Sequence, residues 1–279
     1  ALPNKTFNDP PITLSATASS GLAVSFSIVS GPATVSGSTL TLTGAGTVTV
    51  RASQTGNTNY LAALRDRTFT VAKDDPLITW AAPANIVYGI ALSGTQLNAT
   101  ANVAGTFVYS PAAGTVLDAG TNALSTTFTP TDAANYNTAT ASQNLVVTKA
   151  SQTVTFAGLA NKTYGDAPIT LSARAASGLC VSFCVVRGPA TVSGTTLTLT
   201  GAGTVTVRAA QAGNTNYLAA TLMDRSFTVA KATPVITWSA PSAIVYGTAL
   251  SATQLNATAS VPGTLVYTSA VGTVLDAWT

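Results

Sequence analysis

Between Gly37 and Ser53 the chain reads GSTLTLTGAGTVTVRAS, with apolar and hydroxyl side chains taking turns, and nearly the same seventeen residues return from Gly194 as GTTLTLTGAGTVTVRAA. A period of two marks a half-buried strand, because successive side chains of a pleated strand point to opposite faces. Leu40, Leu42, Val48 and Val50 therefore fall on a core face and the threonines between them on a solvent face. Gly37 and Gly194 mark hairpin turns, and the GAG stretches at Gly44 and Gly201 are expected to supply the positive φ of a tight reversal.

The same alternation runs through the rest of the repeat that holds this stretch. In the second copy it predicts seven strands, TVTF, PITLSA, VSFCVV, ATVSG, TLTLT, TVTVRA and RSFTVA. No helical periodicity competes with it. Short strands with turn signals every 8 to 12 residues, in a unit of about 75 residues, predict an immunoglobulin-like β-sandwich.

Laying residue 4 over residue 161 aligns a whole unit, A, ending in FTVAK at Lys73 and at Lys231. Between the copies lies a different unit, B, which begins PLITW at Pro76 and returns as PVITW at Pro234. The order A, B, A, B predicts four sandwich domains, at residues 1–73, 74–149, 150–231 and 232–279. A and B share a plan. Each opens with a strand ending in an aromatic residue (Phe156, Trp80, Trp238) and then places a Tyr-Gly pair (Tyr164, Tyr88, Tyr246) before the next strand. Complete units close on an Asn-Tyr pair, at Tyr60, Tyr136 and Tyr217, before a last apolar strand. These aromatic residues are expected to plug the ends of the sandwiches, since each buries roughly 150 to 250 Å².

The joints are only about three or four residues long, and Pro76 and Pro234 stiffen two of them, so the expectation is an end-to-end rod of more than about 100 Å. The opening ALPNKTF enters unit A after its first strand, and TVLDAWT stops unit B before its last ones. Either the natural chain continues in both directions or a neighbouring subunit supplies the strands. In the second case the first-strand slot near Leu14 and the edge after Leu275 are filled from outside.

Composition narrows the partners. Only 8% of residues are charged, against about 25% in an average soluble chain, so hydroxyls must carry solubility. The net charge of +3 comes from single basic residues not interleaved with aromatics, which argues against nucleic acid. No apolar run is long enough to span a bilayer, and no signal-peptide pattern opens the segment. Cys180 and Cys184 share a strand face with Cα atoms about 13 Å apart, beyond disulfide reach.

Unit B, with ITWSAPSAIVYGTALSATQLNATA, GTVLDAG and FTPTDAANYNTATA, resembles the bacterial immunoglobulin-like repeats of large secreted or surface proteins. Unit A, with ANKTYGDAPITLSA, GPATVSGTTLTLTGAGTVTVRAAQAGNTNY and FTVAK, is similar to the related MBG-type repeats. The resemblance implies adhesins, stalks, surface layers or filaments, an extracellular or cell-surface location, and no catalytic residue. The first copy departs from it at Phe7, Asn8 and Asp9, where FND replaces YGD.

The search for chemistry is short. There is no histidine, so the common nucleophile–base pairs are missing. Lys5, Arg51, Asp66, Arg67 and Lys73 recur as Lys162, Arg208, Asp224, Arg225 and Lys231, which reads as repeated solvated positions or local ion pairs. Asp74 and Asp75 are Ala-Thr in the sister joint, and no loop has calcium-binding spacing. No catalytic, cofactor-binding or metal-ligating residue is assigned, and no cofactor. Two narrower ideas remain: Lys73, Lys149 and Lys231 end apolar strands where a Lys–Asn isopeptide could form, and the threonine rows could order water. The expected function is a non-enzymatic structural segment of an extracellular stalk, adhesin shaft or filament, with a carbohydrate- or protein-binding adhesin module as the alternative. Its partners are neighbouring domains of the same chain and, by strand exchange in a fibre, other copies.

Overall fold

The structure is a computed structural model that describes residues 2–277. Trp278 and Thr279, at the edge expected to stay open after Leu275, lie outside the described residues, as does Ala1. All regular structure in the described residues is β, arranged as about four sandwich-like domains in tandem. Among the described residues, no helix is long and apolar enough to cross a membrane. The fold divides into two compact units. One runs up to Ser151 and includes Asn214–Leu218; the other holds Gln152–Gly213 and the described residues from Ala219 onward.

In the first unit, the first A repeat places strands Lys5–Thr6, Ala63–Ala72, Gly46–Gln54 and Ser25–Ser30 side by side in one sheet. Ile12–Thr13, Thr39–Leu42 and Ala33–Ser36 form the facing sheet. Alternation sends Leu40, Val48, Val50, Phe69 and Val71 into a common core with Leu14, and Leu42 packs against it half-buried. In the register, Val48 stands opposite Phe69. Gly31 has φ +98°, and a Cβ there would lie 2.2 Å from the Thr47 carbonyl oxygen, so only glycine fits this crossing.

The first B repeat, in the same unit, orders Gly105–Ser110, Gly120–Pro130, Ala139–Thr148 and Ile86–Val87 in its main sheet. Thr100–Ala101 pairs with Ile78–Thr79 on the other layer. Trp80 closes this core as expected: it is 7% exposed, packs with Leu124, Leu145 and Val147, and donates its indole N–H to the Gln96 carbonyl at 3.0 Å.

In the second unit, the second A repeat repeats both sheets of the first. It adds the pair Val154–Phe156 with Ala173–Ala175. Val154, Phe156, Leu171, Ala175, Leu197, Val205, Val207 and Phe227 are buried together. The following B segment holds strands Ile236–Thr237 and Thr258–Ala259. Trp238 makes the same indole bond, to Gln254 O at 3.0 Å, but is 51% exposed because no counterpart of Leu124 or Leu145 covers it among the described residues.

Three expectations need correction. The positive φ of the GAG turns sits on the second glycine, Gly46 (+145°) and Gly203 (+144°), rather than on Gly44 and Gly201. The seven predicted strands become nine in the second A repeat, because PITLSA breaks into Ile169–Thr170 and Ala173–Ala175 and the two residues Lys162–Thr163 pair in parallel with the last strand. So short a segment carries no alternation to read. Finally, the closing tyrosines do not plug their own sandwiches: Tyr60 is 53% exposed, while Tyr136 and Tyr217 meet aromatic rings of the preceding repeat.

Candidate functional site

Those last two rings belong to a contact that occurs twice within the first unit. The loop after strand Gly120–Pro130 is organised by Asp132, whose carbonyl accepts from the Tyr136 N–H at 3.1 Å and whose carboxylate accepts from the Asn135 side-chain amide at 2.8 Å. This fixes the Asn135 carboxamide so that its oxygen accepts the Ala45 N–H of the first A repeat at 2.8 Å. Gly44 is the neighbour that permits this approach, since a Cβ there would lie 2.9 Å from the same oxygen.

Backbone pairing completes the joint. Asp74 N–H donates to Asn135 O and Asn137 N–H to Asp74 O, both at 2.9 Å, making a parallel bridge between Asp74 and Tyr136. Lys73, the last residue of FTVAK, donates from Nζ to the Ala133 carbonyl. The Tyr136 ring meets Phe7 edge-on, with centroids 5.5 Å apart and planes at 84°. Asn8 donates to the Tyr136 hydroxyl at 2.9 Å and to Asp74 Oδ2 at 3.0 Å, and Asn137 donates to Asp75 Oδ1 at 2.7 Å.

The departure FND is thereby explained. Asn8 takes φ +72° where the sister positions Gly89 and Gly165 have +95° and +94°. Asparagine tolerates that region better than other side chains, and here its amide also joins the contact.

The segment Asn214–Leu218 repeats the core of this contact against the first B repeat. Asn216 accepts the Ala119 N–H at 2.8 Å, and its amide donates to Asp118 Oδ1 at 2.9 Å. Ala150 N–H donates to Asn216 O and Leu218 N–H to Ala150 O, both at 2.9 Å. Lys149 Nζ donates to the Asn214 carbonyl at 2.7 Å, and Tyr217 meets Tyr88 edge-on at 5.3 Å and 76°. The repeats share little sequence here beyond the Asn-Tyr pair, the GAG or DAG turn and the strand-ending lysine. Those are the residues that form the clasp. The third copy of the loop, Asn57–Tyr60, is built alike: Asn57 Oδ1 accepts from Asn59 N–H at 2.8 Å and Tyr60 N–H at 3.0 Å.

The charged positions fall into two groups. Arg51 grips Asp66 with two bonds of 2.8 Å, and Arg208 grips Asp224 with bonds of 2.7 and 2.8 Å, both on an outer sheet face. Each arginine's hydrogen bonds hold its aspartate below the usual carboxylate range. Lys5 lies 3.9 Å from Asp9, and Arg225 donates to the Phe156 carbonyl at 2.9 Å. Lys73 and Lys149 meet backbone carbonyls rather than the carboxamides an isopeptide would join. Asp74 and Asp75 accept from the side chains of Asn8 and Asn137. No group of three or more acidic or cysteine side chains gathers to hold a metal among the described residues. Cys180 and Cys184 are exposed thiols, with Cys184 opposite Arg208 in the register.

Asn135, Asn216, Ala45 and Ala119 were not singled out by the sequence, although the recurrence of Asn-Tyr and of GAG or DAG in otherwise divergent units was the available signal.

No protein-family model matches the sequence, and no curated protein matches it. Among solved structures the chain is similar to mouse protocadherin-24 EC1-3, at 11% identity and a TM-score of 0.32, over 83% of this chain and 96% of that one. It is also similar to Drosophila N-cadherin EC1-4, at 11% identity and a TM-score of 0.31, over 76% of this chain and 66% of that one. The S-layer protein rSbsC aligns at 16% identity and a TM-score of 0.24, over 81% of this chain and 40% of that one.

Proposed function

We propose that the chain is a non-enzymatic structural segment of an extracellular or surface-attached stalk, adhesin shaft or filament, with domains at 1–73, 74–149, 150–231 and 232–279. One observation carries the reading: the Asn-Tyr clasp recurs at Tyr136 and Tyr217 with the same asparagine acceptor, parallel backbone bridge, lysine-to-carbonyl bond and edge-on ring pair. A protein whose product is a binding pocket has no need to repeat its joints. One whose product is reach needs joints that fix direction, and short joints with several directional hydrogen bonds and an edge-on ring pair do that. The low charge and hydroxyl-rich faces, together with the resemblance to bacterial immunoglobulin-like and MBG-type repeats, support an extracellular setting. The primary partner of each domain is its neighbour in the same chain.

Small-angle X-ray scattering of the whole chain tests this reading. The expected profile is that of a single extended particle of roughly 100 Å, set by strands of about 3.3 Å per residue laid end to end. A compact globule, or a broad ensemble of bent forms, overturns it.

A further inference from the structure

In the first B repeat, strand Gly105–Ser110 is an outermost strand of the main sheet and pairs on one side only, with Gly120–Pro130. The register runs unbroken from Gly105 opposite Pro130 to Ser110 opposite Ser125. The bond from Thr131 N–H to Ala104 O, at 2.9 Å, fixes the phase of that ladder. Alternate residues of an antiparallel strand bond to the same neighbour, so the backbone groups of Thr106, Val108 and Ser110 face Gly120–Pro130, and the N–H and C=O of Phe107 and Tyr109 point the other way. Among the described residues no strand meets them there.

Free edges are ordinarily blunted by charge or by a bulge. The outer strands of the A repeats have both protections. Ser25–Ser30 and Ser182–Arg187 slip register between Ile28 and Ser30 and between Val185 and Arg187, and their sheets carry the Arg51–Asp66 and Arg208–Asp224 pairs. Gly105–Ser110 has neither, and no Asp, Glu, Lys or Arg occurs in any strand of its sheet. Thr106, Val108 and Ser110 turn outward and are exposed, Val108 at 68%. Phe107 and Tyr109 turn inward and hold the strand in place: the Tyr109 ring meets Trp80 edge-on at 5.5 Å, and its hydroxyl accepts the Ala99 N–H at 2.9 Å.

We infer that Gly105–Ser110 is a self-association edge, which pairs antiparallel with the same strand of a second copy about a twofold axis at Val108. In that register Phe107 exchanges both backbone bonds with the copy's Tyr109, and Tyr109 with the copy's Phe107. Val108 stands opposite the copy's Val108 at a non-hydrogen-bonded position, where side chains of paired strands come closest, and Thr106 stands opposite Ser110. The occupant follows from the chemistry. The strand is its own complement, hydroxyl against hydroxyl and valine against valine, and a sheet without charge neither repels its copy nor attracts a charged partner. No strand leaves its own domain, so the contact differs from strand exchange. It does not rest on the shaft reading, because such an edge pairs in a rod or in a globule.

The test is sedimentation velocity of the full chain carrying Cys180→Ser and Cys184→Ser, over a series of concentrations. A monomer–dimer equilibrium is expected, and a weak one, since six residues a side make a small contact. Val108→Lys, folded by circular dichroism, sets like charges face to face and should weaken the dimer at least about tenfold. Register is read by trapping: with oxidised glutathione, a Val108→Cys chain should form a disulfide-linked dimer. A Thr127→Cys chain, altered opposite Val108 on the same outer face but one strand further in, should not, because three strand spacings put the two thiols roughly 14 Å apart. A chain that stays monomeric at every concentration leaves the edge to a strand of some other protein and overturns the inference. So does a dimer indifferent to Val108→Lys, or equal trapping at Val108→Cys and Thr127→Cys.

Discussion

The side-chain oxygen of Asn135 accepts the Ala45 backbone N–H at 2.8 Å across ninety residues of sequence, and Asn216 does the same for Ala119 at the same distance. Asn135→Ala removes the acceptor and leaves that part-buried N–H unpaired, a loss of about 1 kcal/mol. Hydrogen exchange should report it as roughly fivefold faster exchange of the Ala45 amide, with the core amides of Val48 and Val50 unchanged. An unchanged Ala45 rate would show that the bond contributes nothing to the joint.

Tyr136 adds a ring to that bond. Tyr136→Ala should destabilise the contact with Phe7 by about 0.5 to 1.5 kcal/mol beyond the area it uncovers, whereas Tyr136→Phe keeps the ring and loses only the hydroxyl that Asn8 donates to. Residual dipolar couplings measured across the first two repeats should describe one rigid alignment in the parent and in Tyr136→Phe, and two in Tyr136→Ala. Two alignments already present in the parent would contradict a fixed joint.

Glycines at positive φ separate backbone strain from crowding. Gly31 (φ +98°) would place a Cβ 2.2 Å from Thr47 O, while Gly37 (φ +59°) faces open space. Gly37→Ala should cost about 1 kcal/mol from the left-handed conformation alone, and Gly31→Ala at least about 2 kcal/mol because the crossing with Thr47 must also open. Urea midpoints of the two variants measure the difference, and equal midpoints would remove the crowding argument.

Acid should loosen the outer sheet face. Arg51 and Arg208 hold Asp66 and Asp224 below the ordinary carboxylate range in the folded chain. A depressed folded pKa means that the contribution is present above the unfolded value, near pH 4, and is lost as pH falls through the folded value. Both pairs are solvent-exposed, so the effect is small and salt-sensitive. Carboxyl NMR titration should place both aspartates below the other exposed ones, and Arg51→Ala should return Asp66 alone to the ordinary range.

Much of the fold was legible in the alternation of side chains. Leu40, Val48 and Val50 are core residues because a period of two leaves a strand only two ways to face, and the hairpin turns at Gly37 and Gly194 each have φ +59°. The joints were legible only as short linkers. What fixes them is the meeting of Asn135 with Ala45 and of Tyr136 with Phe7, residues far apart in sequence whose types are unremarkable one at a time. Trp80 and Trp238 make the point from the other side. Closely similar local sequence gives both the same indole bond, but burial comes from strands such as Gly120–Pro130 that lie far along the chain.

Lys5–Thr6 runs parallel to Val71–Ala72, and the same short parallel pairing joins Ile86–Val87 to Val147–Thr148 and Lys162–Thr163 to Val229–Ala230. In each case one member of the pair is the last strand of the repeat and the other lies near its start, directly after Ile78–Thr79 in the first B repeat and after Val154–Phe156 in the second A repeat. Tension applied at the two ends of a repeat therefore pulls the paired strands past each other lengthwise, so their hydrogen bonds, with Phe7 N–H to Ala72 O at 2.9 Å among them, bear the load together. Peeling them one after another would need a pull in the perpendicular direction. Each repeat therefore resists stretching at the parallel seam that its last strand makes.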